Sequence, residues 1–193
     1  MQSDYFVLER AGPSSYPLLQ WDQSASAFRK GTAVEVSEPI RLRLSKPVPR
    51  HPVMVDHHSL PEPVFSPRLR DVLAPLTLYG VQLLPADVKV KEDDVRRYWL
   101  LHVHNEIPCV DRERSVFRLS PSGLIMLGID KLVLDERVLG EIPLERRRVF
   151  VLAESTSTYL CHQSVVDLLR ALQPEGLRFI RVDQWNDSAG FKP

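Results

Sequence analysis

Two cysteines among 193 residues, Cys109 and Cys161, are too few for a disulfide framework, and they form no CxxC pair. Both are expected as buried thiols in a reducing compartment. No stretch approaches the roughly 18 apolar residues needed to cross a bilayer. The best run is LIMLGI at 124–129. No secretory leader is expected, since MQSDYFVLER carries an acid where a basic segment would stand and no long apolar region follows. Neither sign of charge is in excess, with Lys plus Arg and Asp plus Glu at 25 each, which argues against a protein that lives on the nucleic-acid backbone. Only eight glycines occur, scattered, so there is no phosphate-cradling loop. The GxSxG and HExxH patterns are absent as well. A cytoplasmic location is the expectation.

What is present is an ordinary globular composition, 44% hydrophobic and 26% charged, long enough for one substantial domain and expected to form a single one over 1–193. Sixteen prolines favour many short extended pieces over a bundle of long helices. Strand patterns fall at 4–9 (DYFVLE), 33–36 (AVEV) and 40–44 (IRLRL). In the last of these Arg41 and Arg43 alternate with Leu42 and Leu44, which predicts one buried and one charged face. A proline-rich connection, SKPVPRHP, spans 45–52. Further strands are expected over 98–105 and within 125–134.

From Val53 onward the chain resembles itself. Residues 53–84 align without a gap on 149–180, an offset of 149 − 53 = 96. The spacing predicts an amphipathic helix in each segment, with Leu69, Val72, Leu73 and Leu76 on one face and Val165, Leu168, Leu169 and Leu172 on the other segment's equivalent. Ser66 and Pro67 form a good helix start, and Gly80 and Gly176 follow the two helices where a positive φ is useful. Each unit then reads strand, loop, helix, Gly, strand. The fold class is α+β, a mainly antiparallel sheet with few helices and two similar halves.

The stretch YWLLHVHNEIPCVDRERS (98–115) raises the question of a chemical site. On a strand His102 and His104 point the same way, an arrangement that can offer a metal two imidazoles. His57 and His58 are further ligand candidates, although neighbours on a strand diverge. The corresponding reading is a metal-dependent hydrolase or nuclease using His57, His58, His102 and His104. The plainer reading is a strand that carries two histidines. Asp111 and Ser115 suit a hydrolase only with His102 or His104 as the base, and the favoured reading is a local turn hydrogen-bonded to the backbone. The charge runs KEDD (91–94), DER (135–137) and RRR (146–148) suit solvated loops or strand ends.

Several segments together resemble a known family: the FVL opening, VFSPRLRDVL, CVDRERS at 109–115, GIDKLVLDERVLGEIPL at 128–144, and the closing VFVLAESTSTYLCHQSVVDLLRALQPEGLRFIRV. The chain resembles the bacterial immunity proteins of polymorphic toxin systems, typified by a myxobacterial protein that guards against a nuclease toxin passed between cells. The resemblance runs from about Val53 to Val182 and, more weakly, over the start. It implies a cytoplasmic protein that binds and neutralises a cognate toxin domain, encoded by the adjacent gene, with no cofactor, no direct nucleic-acid contact and no membrane. A basic nuclease groove would favour carboxylates as partner-binding residues. Glu92, Asp93, Asp94, Asp135 and Glu136 are the candidates. The alternative contact is the pair of loops before the repeat helices, His57–Pro63 and Ala153–Thr158.

Overall fold

The protein is described by a computed structural model covering residues 1–122 and 125–189, with the side chains at 29 and 30 left aside. Leu124, within the longest apolar run, lies outside the described residues. Strands dominate, in chain order β1 (Tyr5–Arg10), β2 (Leu19–Trp21), β3 (Ile40–Leu44), β4 (His57–His58) and β5 (Val64–Phe65). After helix α1 (Pro67–Leu73) come β6 (Val81–Lys91), β7 (Asp94–Val103), β8 (Glu106–Ile107), β9 (Val116–Leu119) and β10 (Met126–Lys131). Helix α2 (Glu136–Glu141), β11 (Val149–Leu152), β12 (Ser155–His162), α3 (Gln163–Arg170) and β13 (Leu177–Arg181) complete the order. The fold is α+β and rich in sheet.

Two larger sheets and one ribbon organise these strands. The five-stranded sheet has the order β13-β1-β12-β11-β8 and the six-stranded sheet β2-β3-β6-β7-β5-β4, while among the described residues β9 and β10 pair only with each other. All pairings are antiparallel except β3 with β6 and β8 with β11. The YFVL run of β1 is buried throughout because the strand lies inside its sheet and is covered on both faces. Phe6 and Leu8 face one core with the helices, and Tyr5 and Val7 face another with Phe150 and Leu160. In β7, Leu101 and Val103 join the helix-side core, while Tyr98 and Leu100 join a third core with Leu42 and Val88.

Helices α1 and α3 pack together in the core between the sheets, burying Leu69 and Leu73 from one and Val165, Val166 and Leu169 from the other. Two positions depart from the expected face: Val72 is only partly buried and Leu168 is 43% exposed. Both helices are only about two turns long, so the buried stripe is narrower than the spacing suggests. After the helices, the positive-φ positions follow the 96-residue offset. Thr77 and Gln173, one offset apart, both have positive φ (45° and 50°), as do Gly80 and Gly176 (64° and 83°). The offset fails ahead of the helices, where 149–152 is a strand and 53–56 is not.

Ser66 occupies the N-cap of α1 with Pro67 at the first helical position, yet its hydroxyl does not cap the helix. It donates to Asp56 Oδ1 at 2.7 Å. The expected strand at 33–36 does not form. Val34 instead pairs its N–H and C=O with the side-chain amide of Gln82, both at 2.9 Å. A side chain has taken the place of a neighbouring strand. In β3 the alternation holds, with Leu42 and Leu44 buried and Arg41 and Arg43 exposed. Helix α2 goes beyond the two helices expected from the sequence. Its start is fixed by Asp135, whose carboxylate accepts from the Arg137 N–H.

Candidate functional site

The histidines divide by environment. His57 Nδ1 donates to the Gly176 carbonyl and His58 Nδ1 donates to the Pro17 carbonyl, each at 2.8 Å, so the neighbours point to different elements. Burial lowers both pKa values to about 4, and both rings are neutral near pH 7. They are core histidines that tie loops to strands. His102 is different. Its Nδ1 lies 3.2 Å from Glu62 Oε2 and its Nε2 lies 2.9 Å from the Thr32 carbonyl. Both partners present acceptor oxygens, an arrangement that favours the protonated ring with both nitrogens donating. Burial opposes that charge, but the hydrogen bonds to Glu62 and Thr32 and the Glu62 charge outweigh it, raising the pKa. His104 shares the face, its ring 6.0 Å from that of His102, and burial followed by the His102 charge lowers its pKa. The four histidines therefore do not converge. Among the described residues no group of His, Cys, Asp and Glu is placed to hold a metal.

Asp111 and Ser115 form the local turn. Asp111 Oδ1 accepts from the N–H groups of Glu113 and Arg114 at 3.1 and 3.0 Å. The Ser115 hydroxyl exchanges hydrogen bonds with the backbone of Val133. Cys109 and Cys161 are free and buried, and burial pushes each thiol up to about 12.

The charged segments separate. Glu92 and Asp93 occupy the turn between β6 and β7, and Asp94 opens β7. Glu92 pairs with Lys89 at 3.0 Å and Asp94 pairs through both oxygens with Arg96, leaving Asp93 as the member of this trio without an ion pair among the described residues. Asp135 and Glu136 start α2, whose Leu139 packs in the core behind the five-stranded sheet. There Asp135 binds Arg137, and Glu136 holds the N-terminal amine at 3.3 Å. The RRR run is not a free solvated stretch: Arg147 donates to the Ile142 carbonyl at 2.7 Å, Arg148 to the Leu76 carbonyl at 2.8 Å, and Arg146 lies over the Tyr79 ring.

A small polar cavity, about 130 Å³, opens where the two larger sheets meet. His102 and Val103 of β7 and Val151 of β11 form its buried inner wall, with Glu62, Glu106, Thr156 and Tyr159 around them. Burial, then the nearby Glu62 charge, raise the Tyr159 pKa. Glu62 lies in the loop between β4 and β5, and Thr156 lies near the start of β12, where a loop was expected ahead of the second repeat helix. Glu106 and Tyr159 were not singled out from the sequence, where a lone Glu after a histidine strand and a Tyr in a Ser/Thr-rich strand carry no spacing signal. Elsewhere, β9 and β10 carry exposed apolar side chains, among them Leu119 at 51% and Leu127 at 58%.

The family model of Imm11, an immunity protein family, matches residues 4–184. The chain belongs to this family. A comparison with curated proteins finds no match. Membership of Imm11 extends over every element from β1 to β13. Imm11 membership suggests toxin neutralisation and a non-enzymatic, inhibitory role. No helix among the described residues is long and apolar enough to cross a membrane.

Proposed function

We propose that this Imm11 protein binds a cognate toxin domain directly and neutralises it by occupying or locking its active site, with no chemistry of its own. The observation that carries this reading is the family match over 4–184. The site chemistry supports it: the core histidines are neutral and hydrogen-bonded to carbonyls, the thiols are buried, and Asp111 and Ser115 are engaged with backbone. The toxin is a nuclease encoded by the adjacent gene, and the complex forms in the cytoplasm. A nuclease must present a cationic groove to its substrate, and the carboxylates of Glu92, Asp93, Asp94, Asp135 and Glu136 complement such a groove. The test is co-expression of the neighbouring toxin gene with and without this chain. Survival only when the chain is present is expected. Equal killing in both cultures overturns the reading.

A further inference from the structure

Among the described residues, the cavity between the sheets has acceptors to spare and no spare side-chain nitrogen donor. Among these residues, His102 is the only lining side chain that bears nitrogen, and both of its ring nitrogens are engaged, by Glu62 and Thr32. Glu62 spends one oxygen on His102. Its other oxygen, the Glu106 carboxylate and the Thr156 and Tyr159 hydroxyls have no hydrogen-bond partner among the described residues. Two carboxylates face one imidazole ring, so the cavity has a negative balance whether or not the ring is protonated.

From this arrangement, and resting on the reading of the chain as an immunity protein, we infer that the cavity receives one basic side chain of the toxin. Arginine and lysine carry donors and no acceptor, which complements a wall of unfilled acceptors. Arginine fits better, because its planar fork can bridge Glu106 and a second acceptor at once. Val103 and Val151 offer apolar surface to its methylene stem. A phosphate would meet two carboxylates. Size also decides: about 130 Å³ is well below the roughly 300 Å³ at which small-molecule sites begin, so a single side chain is the fitting occupant.

Gly31 helps place the carboxylate at the mouth. Its φ is +58°, and a Cβ there would stand 2.3 Å from Glu106 Oε1. Glycine lets the carboxylate lie against the backbone, a position that any larger residue at 31 would displace.

Two measurements test the cavity, one of them independent of the toxin. N-acetyl-arginine amide and its neutral isostere N-acetyl-citrulline amide are titrated into isotopically labelled protein. The arginine probe is expected to shift resonances of Glu106, Thr156 and Tyr159, and the citrulline probe to leave them in place. Equal shifts from both probes, or none at these residues, overturn the assignment. In the second measurement the toxin domain from the adjacent gene is bound to the unmodified chain, Glu106→Gln and Tyr159→Phe. Glu106 has no partner to lose, so an unchanged melting temperature is expected. Dissociation from Glu106→Gln should be roughly tenfold faster or more, the worth of a charge-assisted hydrogen bond. If both variants hold the toxin as tightly as the unmodified chain, the inference fails. It fails equally if Leu119→Asp or Leu127→Asp releases the toxin and the cavity variants do not. Absence of binding by the unmodified chain sinks the immunity reading instead, and the arginine titration still decides what the cavity takes.

Discussion

The Asp56 carboxylate and the Arg68 guanidinium meet at 3.0 Å, with the acid buried and the base about half exposed. The same carboxylate accepts from the Ser66 hydroxyl and from the Glu175 N–H, so it joins the start of α1 to the turn after α3. Arg68 continues the link by donating to the Leu172 carbonyl. Asp56→Ala would strand three donors at once. A loss on the order of 3 kcal/mol in urea unfolding is expected, the lower range for breaking a buried pair because Arg68 can rehydrate.

Leu73 is 3% exposed and Leu169 is 1% exposed, facing each other's helices in one core. Truncation of either to Ala is expected to cost about 2–5 kcal/mol. Leu168→Ala, at a position 43% exposed, should stay within roughly 0.5 kcal/mol. Chemical denaturation of the three variants side by side measures the contrast.

Acid should weaken the fold through His57 and His58. Their folded pKa values of about 4 lie below the ordinary 6.5, so between these limits the unfolded chain binds more protons. Their contribution is present above pH 6.5 and is lost as pH falls towards 4. His102 has the opposite sign, since its raised pKa gives stability that is present below 6.5 and lost as pH rises through the folded value. Unfolding midpoints measured from pH 4 to 9 should therefore pass through a maximum, and His102→Gln should flatten the alkaline side.

The two thiols should be silent in the native protein. With both buried and pushed up to about 12, a disulfide-exchange reagent at pH 8 should find almost no thiolate. Labelling of Cys109 and Cys161 is expected only once denaturant unfolds the chain, at the global unfolding midpoint. Fast labelling in buffer would contradict the buried placement.

Reversal of Glu92, Asp93 and Asp94 to Lys is expected to slow association with the toxin more than it speeds dissociation, with the effect shrinking as salt is raised. Asp93 alone should give much of the effect, because Glu92 and Asp94 are already paired with Lys89 and Arg96. Stopped-flow mixing at two salt concentrations checks this.

Local pattern carried a good part of the fold. The phase of α1 and α3, the alternation of β3 and the HxH strand could all be read because each depends on neighbours a few residues away. AVEV misled because the partner of Val34 is the side chain of Gln82, 48 residues on, which no period reveals. Helix α2 spans only six residues, too short to show a period, and its Asp135 cap went unread within a charge run. The cavity was the least legible. Its walls come from a short 3-10 turn, loops and strands between Phe28 and Tyr159, and their meeting depends on how the two sheets dock.

The β9–β10 ribbon stands apart from both larger sheets and is pinned at one end, where Ile129 is buried and its N–H donates to Asp187. Two strands with no third beside them hold their backbone hydrogens weakly. In heavy water the amides of this ribbon should exchange through local opening, long before those of β1 or β7, with Ile129 the last of the ribbon to go. The molecule thus has two tiers of cooperativity, a slow body and a fast arm, and the arm can change shape against another surface while the body keeps its own.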